Sequence, residues 1–151
     1  MRSDRILKIV GLFLLIISLG SCYKGRKEDV LPTGQHSVSV RLTAKSLDGL
    51  NAQYTFSRQA DNNAPEQLSA GLARNNDTEV LDGGTRSSGD VIFVEISFRA
   101  ITPTSTVTPD PAASYTVEIL VDGAVKSKVV IDATSKINNA FYLAAVAKTT
   151  L

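Results

Sequence analysis

A chain of 151 residues has the length of one domain rather than two. Its single cysteine, single histidine and lack of tryptophan exclude an intramolecular disulfide and a metal site built on sulfur or imidazole, and leave little equipment for chemistry. With 16 Lys and Arg against 15 Asp and Glu, the net charge of +1 excludes the concentrated basic face of a nucleic-acid-binding protein.

The first residues read as a secretory signal. Arg2, Arg5 and Lys8 form a positive start, and Ile9 to Leu19 is an apolar run broken by Gly11 and Ser18. As a helix that run reaches about 16 Å, against roughly 30 Å of membrane hydrocarbon, so a permanent span is the weaker reading. Leu19, Gly20, Ser21 and Cys22 then resemble the bacterial lipobox. The thiol must become a thioether to diacylglycerol, and the peptidase needs small side chains beside the bond it cuts. The resemblance implies cleavage before Cys22, leaving a signal peptide over residues 1–21 and a lipidated, polar tether over residues 22–35. Mature bacterial lipoproteins carry two or three palmitate-type chains. At about 0.8 kcal/mol per buried methylene, these hold a protein on its membrane without any membrane-binding surface of its own. Lys27, Glu28 and Asp29 resemble the surface-export signal of Bacteroidetes lipoproteins, which implies an outer-membrane, surface-exposed location; a periplasm-facing one is the alternative.

From His36 onward the chain alternates with a period of two, the mark of strands with one buried face. Val38, Val40, Leu42 and Ala44 share one phase, and Leu50, Ala52, Tyr54 and Phe56 share another. With Asp48-Gly49 between them, these two runs are expected to form a hairpin. Leu68, Ala70 and Leu72 form a weaker run in phase, followed by an Asn75-Asn76-Asp77 turn, a short apolar patch at Val80-Leu81 and a glycine- and serine-rich loop over 82–90. Val91 to Ile101 is the strongest strand, with Ile92, Val94, Ile96, Phe98 and Ala100 facing one way. Residues 102–113 carry Pro103, Pro109 and Pro111 and cannot be an internal strand. Tyr115, Val117, Ile119 and Val121 form the next strand. Asp122-Gly123 joins it to Ala124–Asp132, because a type I′ turn needs positive φ at both central residues. Residues 139–148 suit either a short helix or a strand, and closure of a sandwich favours the strand. The expectation is an all-β fold: one immunoglobulin-like antiparallel β-sandwich of seven or eight strands over residues 36–151, with a small barrel as the runner-up.

The segment from Ser114 to Val130 (SYTVEILVDGAVKSKVV), with the Ser88–Ile96 strand before it, resembles the late hairpin of small anchored sandwich proteins. These include uncharacterised Bacteroidetes lipoproteins and the small mycobacterial membrane proteins that partner large lipid exporters. The resemblance implies a small anchored sandwich with an assembly role, and supplies no catalytic residues.

Candidate chemistry is sparse. His36, the one histidine available as a base, reads as a surface or strand-edge residue, and no Gly-x-Ser-x-Gly elbow is present. Asp61-Asn62-Asn63 and the Asp82/Asp90 segment lack the ligand spacing of a calcium loop. Gly83 to Gly89 lacks the Gly-Lys-Ser/Thr ending of a phosphate cradle. Glu95 and Glu118 are outward acids that could lie near one another. Tyr54, Phe56, Phe93, Phe98 and Tyr115 look committed to the core, which leaves Tyr23 and Tyr142 as aromatic platforms. The long loop with Thr102, Thr104, Thr106, Thr108 and Asp110 is the candidate partner-contact segment. The functional expectation is a non-enzymatic envelope or cell-surface module without a cofactor. It would be held on the membrane through Cys22 and would bind a protein partner; a glycan-binding surface lipoprotein is the alternative.

Overall fold

A computed structural model describes residues 33–137 and 141–151. The expected signal peptide, Cys22 and the expected tether up to residue 32 lie outside these described residues, as does the start of the ambiguous last segment. Among the described residues eight strands follow one another: β1 (Gln35–Lys45), β2 (Ala52–Gln59), β3 (Glu66–Leu72), β4 (Thr78–Ser87), β5 (Val91–Phe98), β6 (Ser114–Val121), β7 (Ala124–Asp132) and β8 (Leu143–Thr150). They form two four-stranded antiparallel sheets, ordered β4-β1-β6-β7 and β3-β2-β5-β8, that face each other as a sandwich. The last segment is a strand, as closure of the fold required.

The alternating residues make the core. Val38, Val40, Leu42 and Ala44 of β1 and Val117 and Ile119 of β6 face Phe56 of β2 and Ile92, Val94, Ile96 and Phe98 of β5. All four of those β5 side chains have no exposed surface. The β6–β7 hairpin turns at Asp122 and Gly123 with φ of 51° and 77°, the left-handed pair that its sequence calls for. One flank of the sandwich is closed: β7 packs beside β8, and the Lys148 N–H donates to Ser127 Oγ at 3.3 Å.

Four expectations are overturned. First, β1 and β2 are not a hairpin. The turn at Ser46–Leu50 buries Leu47 and Leu50 and carries the chain from one sheet to the other, so β1 pairs with β4 and β6 while β2 pairs with β3 and β5. Second, the segment over 82–87 is strand rather than loop. Its glycines serve a bulge where β1 shifts register between Val38 and Ser39. A Cβ on Gly83 would stand 2.9 Å from both the Val38 Cγ1 and the Val38 carbonyl oxygen, and only glycine lets the strand lie that close. Third, β3 does not bury Ala70 and Leu72. A bulge opposite Phe56/Ser57 makes Leu68 the extra residue, so Ser69 and Gly71 take the inner phase and Leu72 is 65 % exposed. Fourth, Phe93 stands on the outward phase of β5, half-buried under the Lys148 ammonium 5.5 Å from its ring.

In open extended backbone a Gly→Ala change stabilises by about 0.4–1 kcal/mol. Crowding reverses the sign at position 83, and Gly83→Ala is expected to destabilise by about 1–3 kcal/mol, read from the urea midpoint at unchanged m-value.

Candidate functional site

The strands run so that the two ends of the sandwich differ. One end, where β1 begins, carries the β4–β5 and β6–β7 turns and Leu151. The other carries the β1–β2 and β3–β4 turns and the long β5–β6 loop. These are the proximal and distal ends below, named from the start of β1.

The distal end holds a groove. Three carbonyl oxygens of the β3–β4 turn seat the β1–β2 turn. Asn75 Oδ1 accepts the Leu47 N–H at 2.7 Å, Asn76 Oδ1 accepts the Ser46 N–H at 3.0 Å, and the Asp77 carbonyl accepts the Ala44 N–H at 2.9 Å. Ser46, Asn51 and Asn76 all adopt left-handed backbone here, a conformation that asparagine tolerates. Against these turns lies the end of the long loop, shaped by Asp110, whose carboxylate accepts the Ala112 N–H at 2.7 Å. Between them is a cavity of about 410 Å³ lined by Ser46, Asp48, Asn75, Asn76, Thr108, Pro109 and Asp110. A neighbouring cavity of about 340 Å³ shares Ser46 and Asn76 and extends past Lys45, Asp77 and Ala112.

Of the five loop residues picked out in the sequence, Thr108 and Asp110 line this groove. Thr102 and Thr104 fold into a turn of their own, where the Thr102 N–H donates to Ser105 Oγ at 3.0 Å; Thr106 is exposed and lines neither cavity. Sequence reasoning missed Ser46, Asp48, Asn75 and Asn76 as groove residues. Their turn chemistry was visible, but that two turns 30 residues apart clasp each other depends on the β1–β4 pairing.

Beneath the groove, the Tyr115 hydroxyl is buried without a hydrogen-bond partner among the described residues. Burial, with Tyr54 and Glu79 nearby, pushes its pKa far above the ordinary value. It borders a cavity of about 10 Å³ shared with Asp77 and Glu79, near the least space that admits one water molecule.

The proximal end carries two polar clusters. In the first, Arg58 Nε donates to Asp90 Oδ2 at 2.8 Å, Nη2 reaches Oδ1 at 3.4 Å, and the Ser87 N–H adds a third donor at 3.3 Å. Asp90 is only 4 % exposed, and this ring of donors is what permits a buried carboxylate. In the second, three remote segments meet. Asp122 of the β6–β7 turn accepts the Ser37 N–H at 2.9 Å through Oδ1 and lies 2.7 Å from His36 Nδ1 through Oδ2. His36 Nε2 lies 3.2 Å from Ser88 Oγ. With Nδ1–H donating to the carboxylate, the neutral ring offers Nε2 to accept the serine O–H.

The acids weighed as a catalytic pair are apart. Glu95 stands on the outer face of one sheet, where it accepts from Tyr142 Oη at 3.3 Å. Glu118 stands on the other sheet, bonded to Arg41 at 2.9 Å and Lys128 at 3.2 Å. Tyr142 is engaged as well, its ring lying under the Arg99 guanidinium at 3.7 Å, which removes it as an open glycan platform. Among the described residues no group of three or more His, Cys, Asp or Glu side chains could hold a metal ion. In comparisons with protein families, curated proteins and solved structures, nothing matches this chain.

Two outcomes follow from the proximal clusters. Arg58→Ala leaves Asp90 buried and unpaired, and is expected to cost about 3–5 kcal/mol in chemical denaturation. The Asp122 carboxyl is held below the ordinary carboxylate range, first by the hydrogen bond from His36 and then by the Ser37 N–H. A carboxyl with a lowered folded pKa contributes stability above the unfolded value of about 3.9 that is lost as pH falls through the folded one. Asp122→Asn is therefore expected to lower Tm at neutral pH and to flatten its decline below about pH 4, in thermal scans across pH.

Proposed function

We propose that this protein is a lipid-anchored envelope or cell-surface module that holds a protein partner at the end of its sandwich remote from the anchor. The lipobox-like Leu19–Cys22 segment supports the anchor. The observation that carries the binding role is the placement of the two ends of β1. The strand begins at Gln35, directly after the tether, and ends at Lys45, beside the groove. Eleven extended residues separate the two by about 35 Å. The tether thus joins the sandwich at one end of β1, and the long β5–β6 loop and the groove stand at the other, where a partner can reach them.

The character of the groove fits a protein surface better than a small apolar ligand. It is open, its walls are asparagine, serine, threonine and aspartate, and Asp48 and Asp110 give it negative charge. Small-molecule pockets are mostly apolar and enclosed. The outer face of the β4-β1-β6-β7 sheet carries charges paired with their own neighbours, as at Arg41, Glu118 and Lys128.

A photo-crosslinking side chain placed at Thr108 or Asp110 in cells is expected to give one discrete protein adduct, and the same group at Lys126, by the proximal hairpin, none. Equal adducts from all three positions, or none from the groove, would overturn the binding role. The anchor is tested separately: the protein is expected to incorporate labelled palmitate in cells and Cys22→Ser to abolish the label, and an unlabelled parent protein rules the anchor out.

A further inference from the structure

We propose that Ser88 is an activated nucleophile that accepts acyl groups from small activated carboxylic esters, with His36 as its base and Asp122 positioning the imidazole. The inference goes beyond the partner-binding role and does not rest on it, since the three residues stand at the opposite end of the molecule.

Nucleophilic serine chemistry needs a hydroxyl, a base within hydrogen-bond reach and a third group that fixes the base. Ser88 Oγ, His36 Nε2 and Nδ1, and Asp122 Oδ2 form such a relay at 3.2 and 2.7 Å. The relay is built by the fold rather than by local sequence: the pairs are 52 and 86 residues apart. The orienting carboxylate is itself fixed, because its other oxygen accepts the Ser37 N–H and the Asp122 N–H donates back to the Ser37 carbonyl at 2.9 Å. Arg86 lies directly across from His36 in the β1–β4 register, and its Nε is buried without a hydrogen-bond partner.

In the acylation step the Ser88 proton passes to His36 Nε2 while Oγ bonds to the ester carbonyl carbon, whose π pair moves onto oxygen. Collapse restores the carbonyl and breaks the bond to the alcohol, which leaves with the proton from Nε2. Water then repeats the sequence on the acyl-serine, giving the acid and restoring the O–H, so ester and water become acid and alcohol. The site also limits the rate. The N–H groups of Ser88 and Gly89, which stand where an oxyanion hole would form, already donate to the Gly34 carbonyl at 2.7 Å and the Leu151 carbonyl at 2.9 Å. Each missing oxyanion donor costs about 10²–10³ in rate, which restricts the chemistry to esters with good leaving groups.

The test treats the full chain, in detergent, with p-nitrophenyl acetate and follows Ser88 acetylation by peptide mass spectrometry. Acetyl-Ser88 is expected to form at least tenfold faster in the parent than in His36→Gln, and to be absent in Ser88→Ala. Asp122→Asn is expected to lower the acetylation rate, because the imidazole loses the carboxylate that fixes its tautomer and orientation. Circular dichroism shows whether each variant keeps its fold. An unmodified Ser88, or an equal rate in a folded His36→Gln, would reduce the cluster to a structural clasp and overturn the proposal.

Discussion

The double pairing of β1 governs the rest of this molecule. A strand held on both sides by β4 and β6 has no freedom of register, because a slip of one residue would turn Val38, Val40, Leu42 and Ala44 out to solvent and Ser39, Arg41 and Thr43 into the core. Both candidate sites are consequences of that register. At its start β1 delivers His36 to Asp122 from one neighbour and to Ser88 beyond the other. At its finish it delivers Ser46 and Leu47 to the asparagines that precede β4.

The bulge in β4 refines this further. In the distal half Leu42 faces Glu79 and Val40 faces Leu81, while in the proximal half Val38 faces Gly84 and His36 faces Arg86. Were the register regular through Gly83, Thr85 would stand opposite His36 and the guanidinium would fall on the other face. A glycine that the core requires for close approach thereby decides which side chain accompanies the histidine.

The parts legible in the sequence are those whose physics is local. Period-two alternation located β1, β2, β5 and β6, and the paired positive-φ requirement located the turn at Asp122-Gly123. The parts that were not legible depend on which strands pair. Asp48-Gly49 reads equally well as a hairpin or as an arch between sheets, and only the burial of Leu47 and Leu50 separates the two. Gly83 reads as loop because its reason for being small is Val38, 45 residues upstream. Glu95 and Glu118 look like neighbours until the topology sends them to different sheets. Thr108 and Asp110 were legible as part of a long loop, but the turns that complete their groove were not. His36 offered no local signal of its partners.

The two ends also differ in how their polar groups are held. At the proximal end, charges are matched inside the protein: Asp90 by Arg58, and Asp122 by His36 and the Ser37 N–H. Such closed pairs fix geometry at the cost of desolvation, and they stand where β1 meets the tether. At the distal end the internal bonds run from backbone N–H groups to asparagine carbonyl oxygens, so the turns are pinned without consuming the carboxylates of Asp48 or the second oxygen of Asp110 in ion pairs. A surface fixed in this way loses little entropy when it is covered, and keeps charge to offer to what covers it. That contrast follows from the choice of asparagine at one end and of arginine and histidine at the other.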